Sequence, residues 1–129
     1  MKALMVCAAG QNRSHSLVLQ AKTMWQWDAL AAGIYGNPSV FPMLSAWADR
    51  IVLVERWWPE HFIPQEHHHK VAWLEMGTDV WGSPVHPELM ILAKDLLIRW
   101  EKSKFRPGIL FSKSGIQEDI IGYRPGIES

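Results

Sequence analysis

Short apolar runs alternate with segments of helical periodicity along most of this chain. Four runs have the length and the apolar or β-branched composition of buried strands, and they cover residues 2–7, 28–32, 50–54 and 70–74. Apolar residues recur at helical spacing in residues 14–26, 40–47 and 87–102, and a short helix or turn fits 59–65. Alternating strands and helices are typical of a parallel sheet that is covered by helices on both faces. The sequence therefore predicts a three-layer α/β fold around a four-stranded parallel sheet.

The last part of the chain departs from this alternation. The 129 residues fit a single domain, and we expect that domain to span residues 1–105. Residues 106–129 contain the turn-like tetrapeptide Arg-Pro-Gly-Ile twice, at 106–109 and 124–127, and show no further strand–helix unit. We therefore expect them to form a C-terminal extension that is partly ordered.

The charge balance limits the partners of this protein. Its 13 Lys and Arg residues equal its 13 Asp and Glu residues, so the formal net charge is zero. A neutral chain has no global field with which to hold a polyanion, and no apolar run approaches the roughly 18–20 residues of a membrane span. We expect neither nucleic acid nor a membrane as a partner.

The residues that most often bind metals are few or badly spaced. Cys7 is the only cysteine, which excludes an intramolecular disulfide and a cysteine-based zinc site. A chain without disulfides suits a reducing compartment, and we predict a cytoplasmic protein. Three consecutive histidines at 67–69 would not converge on one ion in a regular strand, so we interpret them as a polar loop. We predict no metal and no cofactor.

The segment after the first predicted strand has the composition of an anion-binding loop. It reads Cys7-Ala8-Ala9-Gly10-Gln11-Asn12-Arg13-Ser14. Sites in open α/β sheets form beyond the carboxyl ends of strands, and a loop leading into a helix directs its N–H groups at an anion. The small residues allow the backbone to close around a tetrahedral oxyanion, and an arginine can bind two phosphate oxygens at once. The sequence predicts a phosphate-binding loop here.

The same loop can activate a nucleophile. The field of a helix N-terminus favours the thiolate form of a nearby cysteine, and the Ser14 hydroxyl could donate a hydrogen bond to the Cys7 sulfur. The alternative interpretation is a buried structural cysteine with an unrelated arginine nearby. We favour the functional interpretation because the loop lies directly between a predicted strand and a predicted helix, and because it holds the only cysteine of the chain.

This Cys-x5-Arg-Ser loop resembles the phosphate-binding loop of low-molecular-weight protein tyrosine phosphatases. The chain is most similar to their short bacterial and phage group, the predicted protein tyrosine phosphatases. Later segments resemble the family in the same order, and they are Ala-Ala-Gly-Ile at 31–34, Ala-Asp-Arg-Ile-Val-Leu-Val-Glu-Arg at 48–56, Gly-Thr-Asp-Val-Trp at 77–81 and Pro-Glu-Leu at 87–89. The resemblance covers residues 2–100 and implies the strand order 2-1-3-4.

The resemblance implies a two-step hydrolysis of phosphomonoesters that needs no metal. Cys7 would attack phosphorus and form a phosphocysteine, while Arg13 and the loop amides would stabilise the charge on the phosphoryl oxygens. The expected general acid is Asp79, which follows the fourth strand, and Trp81 is expected to flank an aromatic substrate. The expected phosphate-binding residues are Ala8, Ala9, Gly10, Gln11, Asn12, Arg13 and Ser14. The expected partner is a phosphorylated small molecule or a phosphoprotein.

Two other functions stay open. One is a non-catalytic module of the same fold that binds an oxyanion or phosphoryl ligand, and the other is an arsenate reductase that uses its single cysteine with an external thiol. The loop departs from the family pattern, with Gly10 where an asparagine is usual and His15 where a proline is usual. His15 could contact a substrate, although a surface helix position is the simpler interpretation. At least one of the adjacent Trp57 and Trp58 should lie at the surface or line a cleft.

Overall fold

The computed structural model describes residues 1–9 and 11–120, and a single sheet runs through them. Its strands are β1 (Lys2–Cys7), β2 (Asp28–Gly33), β3 (Arg50–Leu53), β4 (Val71–Glu75), β5 (Ile109–Ser112) and β6 (Gln117–Asp119). The α-helices of these residues are α1 (Arg13–Trp25), α2 (Phe41–Trp47) and α3 (Pro87–Lys102), and 3-10 turns cover Pro38–Val40, Pro59–His61 and Gln65–Lys70. None of the described helices is long and apolar enough to cross a membrane.

The strands lie in the order β2-β1-β3-β4-β5-β6. β1 to β5 pair in parallel, whereas β6 pairs antiparallel to β5. The predicted α/β class is confirmed, and so is the relative order 2-1-3-4 of the first four strands. The prediction of four strands was wrong, because Ile109–Ser112 and Gln117–Asp119 extend the sheet. Much of the predicted extension therefore belongs to the central sheet, and residues 121–129 lie outside the described residues.

The sheet is covered by helices on both faces, as predicted. Side chains of a strand point alternately to its two faces, which separates the core into two clusters. Cys7 of β1 faces α1 and α3 and lies in one cluster with Leu17 and Trp100. Val6 faces the other way and lies in a second cluster with Phe41 of α2. The strand that carries the cysteine is thus buried on both sides and holds its last residue firmly in place.

Aromatic side chains close the edge of the sheet at which the parallel strands begin. Trp27 precedes β2, and its ring contacts Trp25, Trp100 and Phe105. The ring centroids of these contacts are 4.7–6.3 Å apart, and most of the rings meet edge to face. Such pairs stabilise a core beyond their buried area. Three of the eight tryptophans, Trp25, Trp27 and Trp100, are therefore used for packing away from the predicted loop.

Candidate functional site

The candidate site lies where the parallel strands end, which we call the carboxyl edge. β1 ends there at Cys7, its neighbour β3 ends there at Leu53, and β4, the next strand beyond β3, ends there at Glu75. The Cys7 side chain is buried, and its Sγ lies 3.1 Å from the Ser14 Oγ. The expected contact between these two side chains is confirmed, so a hydroxyl is in place to donate a hydrogen bond to the sulfur.

The loop from residue 8 to residue 12 leads directly into α1. Ala8 is fixed by its carbonyl oxygen, which accepts a hydrogen bond from the Tyr35 N–H at 2.9 Å. Ala9 and Gln11 are exposed, whereas Gly10 lies outside the described residues. The helix begins at Arg13, one residue before the predicted start, and its N-cap Asn12 makes no side-chain capping bond. The first N–H groups of a helix have no partner within the helix and favour an anion at this end.

Arg13 is turned into the protein rather than into solvent. It is only 3% exposed, and its Nη1 donates to Glu55 Oε2 and to the Gly77 carbonyl oxygen, each at 2.8 Å. Glu55 follows β3 and Gly77 follows β4, so the guanidinium reaches across the carboxyl edge. Its Nε is buried and has no hydrogen-bond partner among residues 1–9 and 11–120. A buried N–H without an acceptor costs about 1–3 kcal/mol, which an oxyanion oxygen would offset.

Asp79 lies next to the loop. Its carboxylate oxygens accept hydrogen bonds from the Asn12 Nδ2 at 3.1 and 3.4 Å, although the two residues are far apart in sequence. The side chain is exposed. The structure thus places Asp79 on the carboxyl edge, as its position after β4 predicted. Trp81, two residues further on, is half-buried and lies with its ring centroid 5.3 Å from the Lys113 Nζ.

Several neighbours of the loop were not among the predicted site residues. Glu55 and Gly77 contact Arg13, and Lys113 was assigned to the extension. The sequence held a signal for Glu55, because it comes directly after the predicted strand 50–54 and so lies at the same edge as Cys7. Lys113 reaches this edge only because β5 joins the sheet beside β4.

The histidines lie elsewhere. Residues Gln65–Lys70 form a 3-10 turn that precedes β4, at the opposite edge from Cys7. His68 is buried with its Nε2 2.7 Å from the Ile63 carbonyl oxygen, so it is held by the backbone. Within the described part of the chain, no group of three His, Cys, Asp or Glu side chains could hold a metal ion. His15 is exposed on α1.

The two adjacent tryptophans differ in their surroundings. Trp57 is half-buried, and its carbonyl oxygen accepts a hydrogen bond from the Trp73 Nε1 at 3.0 Å. Trp58 is 51% exposed. The prediction that at least one of the pair lies at the surface or lines a cleft is confirmed.

Comparisons with family models, with curated proteins and with solved structures gave no match to this chain. The resemblance to low-molecular-weight phosphatases therefore rests on the motifs in the sequence and stays a prediction. The geometry of the carboxyl edge is the structural basis for any function of this chain.

Proposed function

We propose that this protein is a cysteine-dependent phosphomonoesterase that works through a phosphocysteine intermediate. The observation that carries the proposal is the buried Arg13, whose Nε has no acceptor among the described residues and which starts the helix after the Cys7 loop. A cation that is oriented in advance at a helix N-terminus favours a tetrahedral oxyanion. Glu55 holds the guanidinium through Nη1, so the arginine needs little reorganisation when a phosphoryl group arrives.

The reaction has two steps. In the first, the electron pair of the Cys7 thiolate forms a sulfur–phosphorus bond while the bond from phosphorus to the alcohol oxygen breaks. Asp79 gives its proton to that oxygen, so the alcohol leaves neutral. In the second, water attacks phosphorus, Asp79 takes a proton from the water, and the sulfur–phosphorus bond breaks to return the thiolate. The Ser14 hydroxyl, 3.1 Å from the sulfur, stabilises the thiolate as it leaves.

The proposed substrate is a phosphorylated small molecule or a phosphoprotein. The reaction needs a reduced thiol at position 7, since an oxidised sulfur cannot attack phosphorus. We therefore also propose the cytoplasm, which keeps thiols reduced, as the place where the protein works.

Hydrolysis of para-nitrophenyl phosphate tests the proposal. Wild type should turn over, Cys7→Ser should lose turnover, and Asp79→Asn should slow it by roughly 10²–10⁴-fold, the usual contribution of a general acid. Asp28→Asn is the matched control, because Asp28 is also exposed but lies at the start of β2 on the opposite edge. Its turnover should equal that of wild type.

Three results would contradict the proposal in different places. Full activity in Cys7→Ser would show that the reaction does not pass through a phosphocysteine. Full activity in Asp79→Asn would show that Asp79 is not the general acid. No turnover in wild type, together with vanadate binding that depends on Cys7, would identify an oxyanion-binding module instead.

A further inference from the structure

A cavity of about 620 Å³ opens on the carboxyl edge beside Arg13. It is formed where β3, β4 and β5 end, and its lining includes Glu55 and Gly77, the two residues that accept hydrogen bonds from Arg13. The cavity and the proposed phosphate site therefore share a wall. A group attached to a phosphoryl bound near Arg13 would find room here.

Most charges that line the cavity are already paired. Arg56 donates to Glu75 at 2.8 Å and to Glu118 at 2.9 Å, and these contacts, led by the hydrogen bond to Glu75, raise the pKa of Arg56. Glu55 is paired with Arg13. Among the residues that the structure describes, Lys113 is the one lining charge that forms no ion pair with a carboxylate.

Lys113 is nevertheless directed along the cavity wall. It follows β5, and its side chain crosses Gly77, where an added Cβ would lie 3.5 Å from the Lys113 Cδ. Its Nζ then lies over the Trp81 ring, 5.3 Å from the centroid. The aromatic face attracts the ammonium without neutralising it. This leaves a positive charge next to Gly77 that is available to an anion.

The cavity wall also includes an apolar residue. Trp57 lines it, and the Trp57 backbone is fixed by the hydrogen bond from the Trp73 Nε1. The Trp57 ring meets Phe62 edge to face, with centroids 6.4 Å apart. The apolar part of a leaving group can therefore pack against Trp57, whereas the Thr78 hydroxyl suits a polar substituent.

We propose that this cavity binds the leaving group of the substrate, and that Lys113 pairs with a second anion carried by that group. The inference rests on the proposed phosphatase function, since it is Arg13 that would hold the phosphoryl group. It narrows the substrate class to phosphomonoesters whose leaving group bears a carboxylate or a similar anion. Lys113 would then determine which substrates bind, without contacting the reacting atoms.

Two non-hydrolysable ligands that differ by one carboxylate test this inference. Benzylphosphonate and 4-carboxybenzylphosphonate are titrated by calorimetry into the full chain, into Lys113→Gln and into Lys94→Gln. Lys94 is the matched control, because it is an exposed lysine on α3. Wild type and Lys94→Gln should bind the carboxylate ligand roughly fivefold more tightly than benzylphosphonate, the upper range for a partly exposed ion pair. Lys113→Gln should lose this preference and bind benzylphosphonate with unchanged affinity.

The other outcomes overturn the inference and separate it from the proposed function. Equal affinity of wild type for the two ligands, or binding of neither, removes the leaving-group site even when para-nitrophenyl phosphate is hydrolysed. A preference for the carboxylate that survives in Lys113→Gln shows that another residue reads the anion. A third result is a preference for the carboxylate ligand that depends on Lys113, in a protein that hydrolyses no aryl phosphate. It would support the binding site and contradict the proposed phosphatase activity.

Discussion

At the scale of single residues, the arrangement of Arg13 is the most informative feature. A cation that is 3% exposed needs a partner, and Glu55 supplies a carboxylate that is itself 41% exposed at its side chain. The Arg13 side of this ion pair is therefore buried, whereas the Glu55 side is in contact with solvent. This geometry fixes one guanidinium nitrogen and leaves Nε without an acceptor in the described part of the chain.

Replacing Glu55 by glutamine tests that reading of the pair. Glu55→Gln keeps a hydrogen-bond acceptor but removes the charge, and we expect the free energy of unfolding to fall by about 1 kcal/mol, since Glu55 is partly screened by solvent. Inorganic phosphate should restore more stability in Glu55→Gln than in wild type, because an anion then supplies the missing charge. Urea denaturation with and without phosphate measures both effects.

The control for this variant is Glu60→Gln, which changes an exposed glutamate in the 3-10 turn after β3. Its unfolding free energy should match that of wild type within about 0.5 kcal/mol. Unchanged stability in Glu55→Gln would mean that Arg13 is sufficiently held by the Gly77 carbonyl oxygen alone.

Part of the candidate site was predictable at this scale. Cys7 ends a predicted strand and Asp79 follows one, and the rule that parallel strands end at one edge was enough to place them there. The contact between Arg13 and Glu55 was not predictable, because the direction of a long side chain depends on which strand ends lie within its reach. The sequence separation of 42 residues gives no sign of that contact.

At the scale of elements, the 3-10 turn Gln65–Lys70 holds two titratable side chains that are partly buried. The Nδ1 of His67 is buried and has no partner among the described residues. Burial, with a further contribution from Lys70, lowers the pKa of His67 below its usual 6.5. Burial likewise lowers the pKa of Lys70, whose Nζ donates to the Ser45 carbonyl oxygen at 2.8 Å. The turn is therefore packed for a neutral histidine.

This lowered pKa predicts a loss of stability in mild acid. Below pH 6.5 the unfolded chain takes up a proton at position 67 more readily than the folded chain does, so the unfolding free energy falls as the pH falls towards the lower folded value. The contribution is fully present above pH 6.5. His67→Gln cannot take up the proton, and we expect its stability to change less between pH 7.5 and 5.5 when measured by urea denaturation.

His69→Gln is the comparison for this experiment, because His69 is an exposed neighbour in the same turn. It should keep the pH dependence of wild type. If His67→Gln and wild type lose the same stability on acidification, another group is responsible for the loss.

The first four strands and the helix α3 could be predicted from the sequence, whereas the last two strands could not. The strands β1 to β4 follow apolar or β-branched runs and the helix α3 follows clear helical periodicity, and each was predicted to within two residues. β5 has only four residues, and β6 consists of Gln117, Glu118 and Asp119, which have little tendency to form a strand. They are strands because β5 pairs with the exposed edge of β4 and β6 pairs with β5, and this pairing is a property of the assembled sheet.

At the scale of the whole molecule, β5 contributes to the core clusters on both faces of the sheet. Its Ile109 and Phe111 lie in the cluster beneath α1 and α3, whereas its Leu110 lies in the cluster on the other face of the sheet. The strand also carries the chain from α3 back to the carboxyl edge, where Lys113 meets the candidate site. Residues that were predicted to be an extension thus contribute to both cores and to the cavity.

This position predicts that β5 unfolds together with the rest of the domain. Leu110 is fully buried, and we expect Leu110→Ala to cost about 2–5 kcal/mol, a large share of the roughly 5–15 kcal/mol that stabilises a domain. Ile116→Ala, in the turn between β5 and β6, changes a side chain that is 51% exposed and should cost less than about 0.5 kcal/mol. Urea denaturation followed by tryptophan fluorescence and by circular dichroism should give one coincident transition for both variants. Because tryptophans lie at both edges of the sheet, with Trp100 at one and Trp81 beside Lys113 at the other, coincidence would show that the two edges unfold as one cooperative unit. A small effect of Leu110→Ala, or two separate transitions, would instead make β5 and β6 an appendage that can leave the sheet without unfolding it.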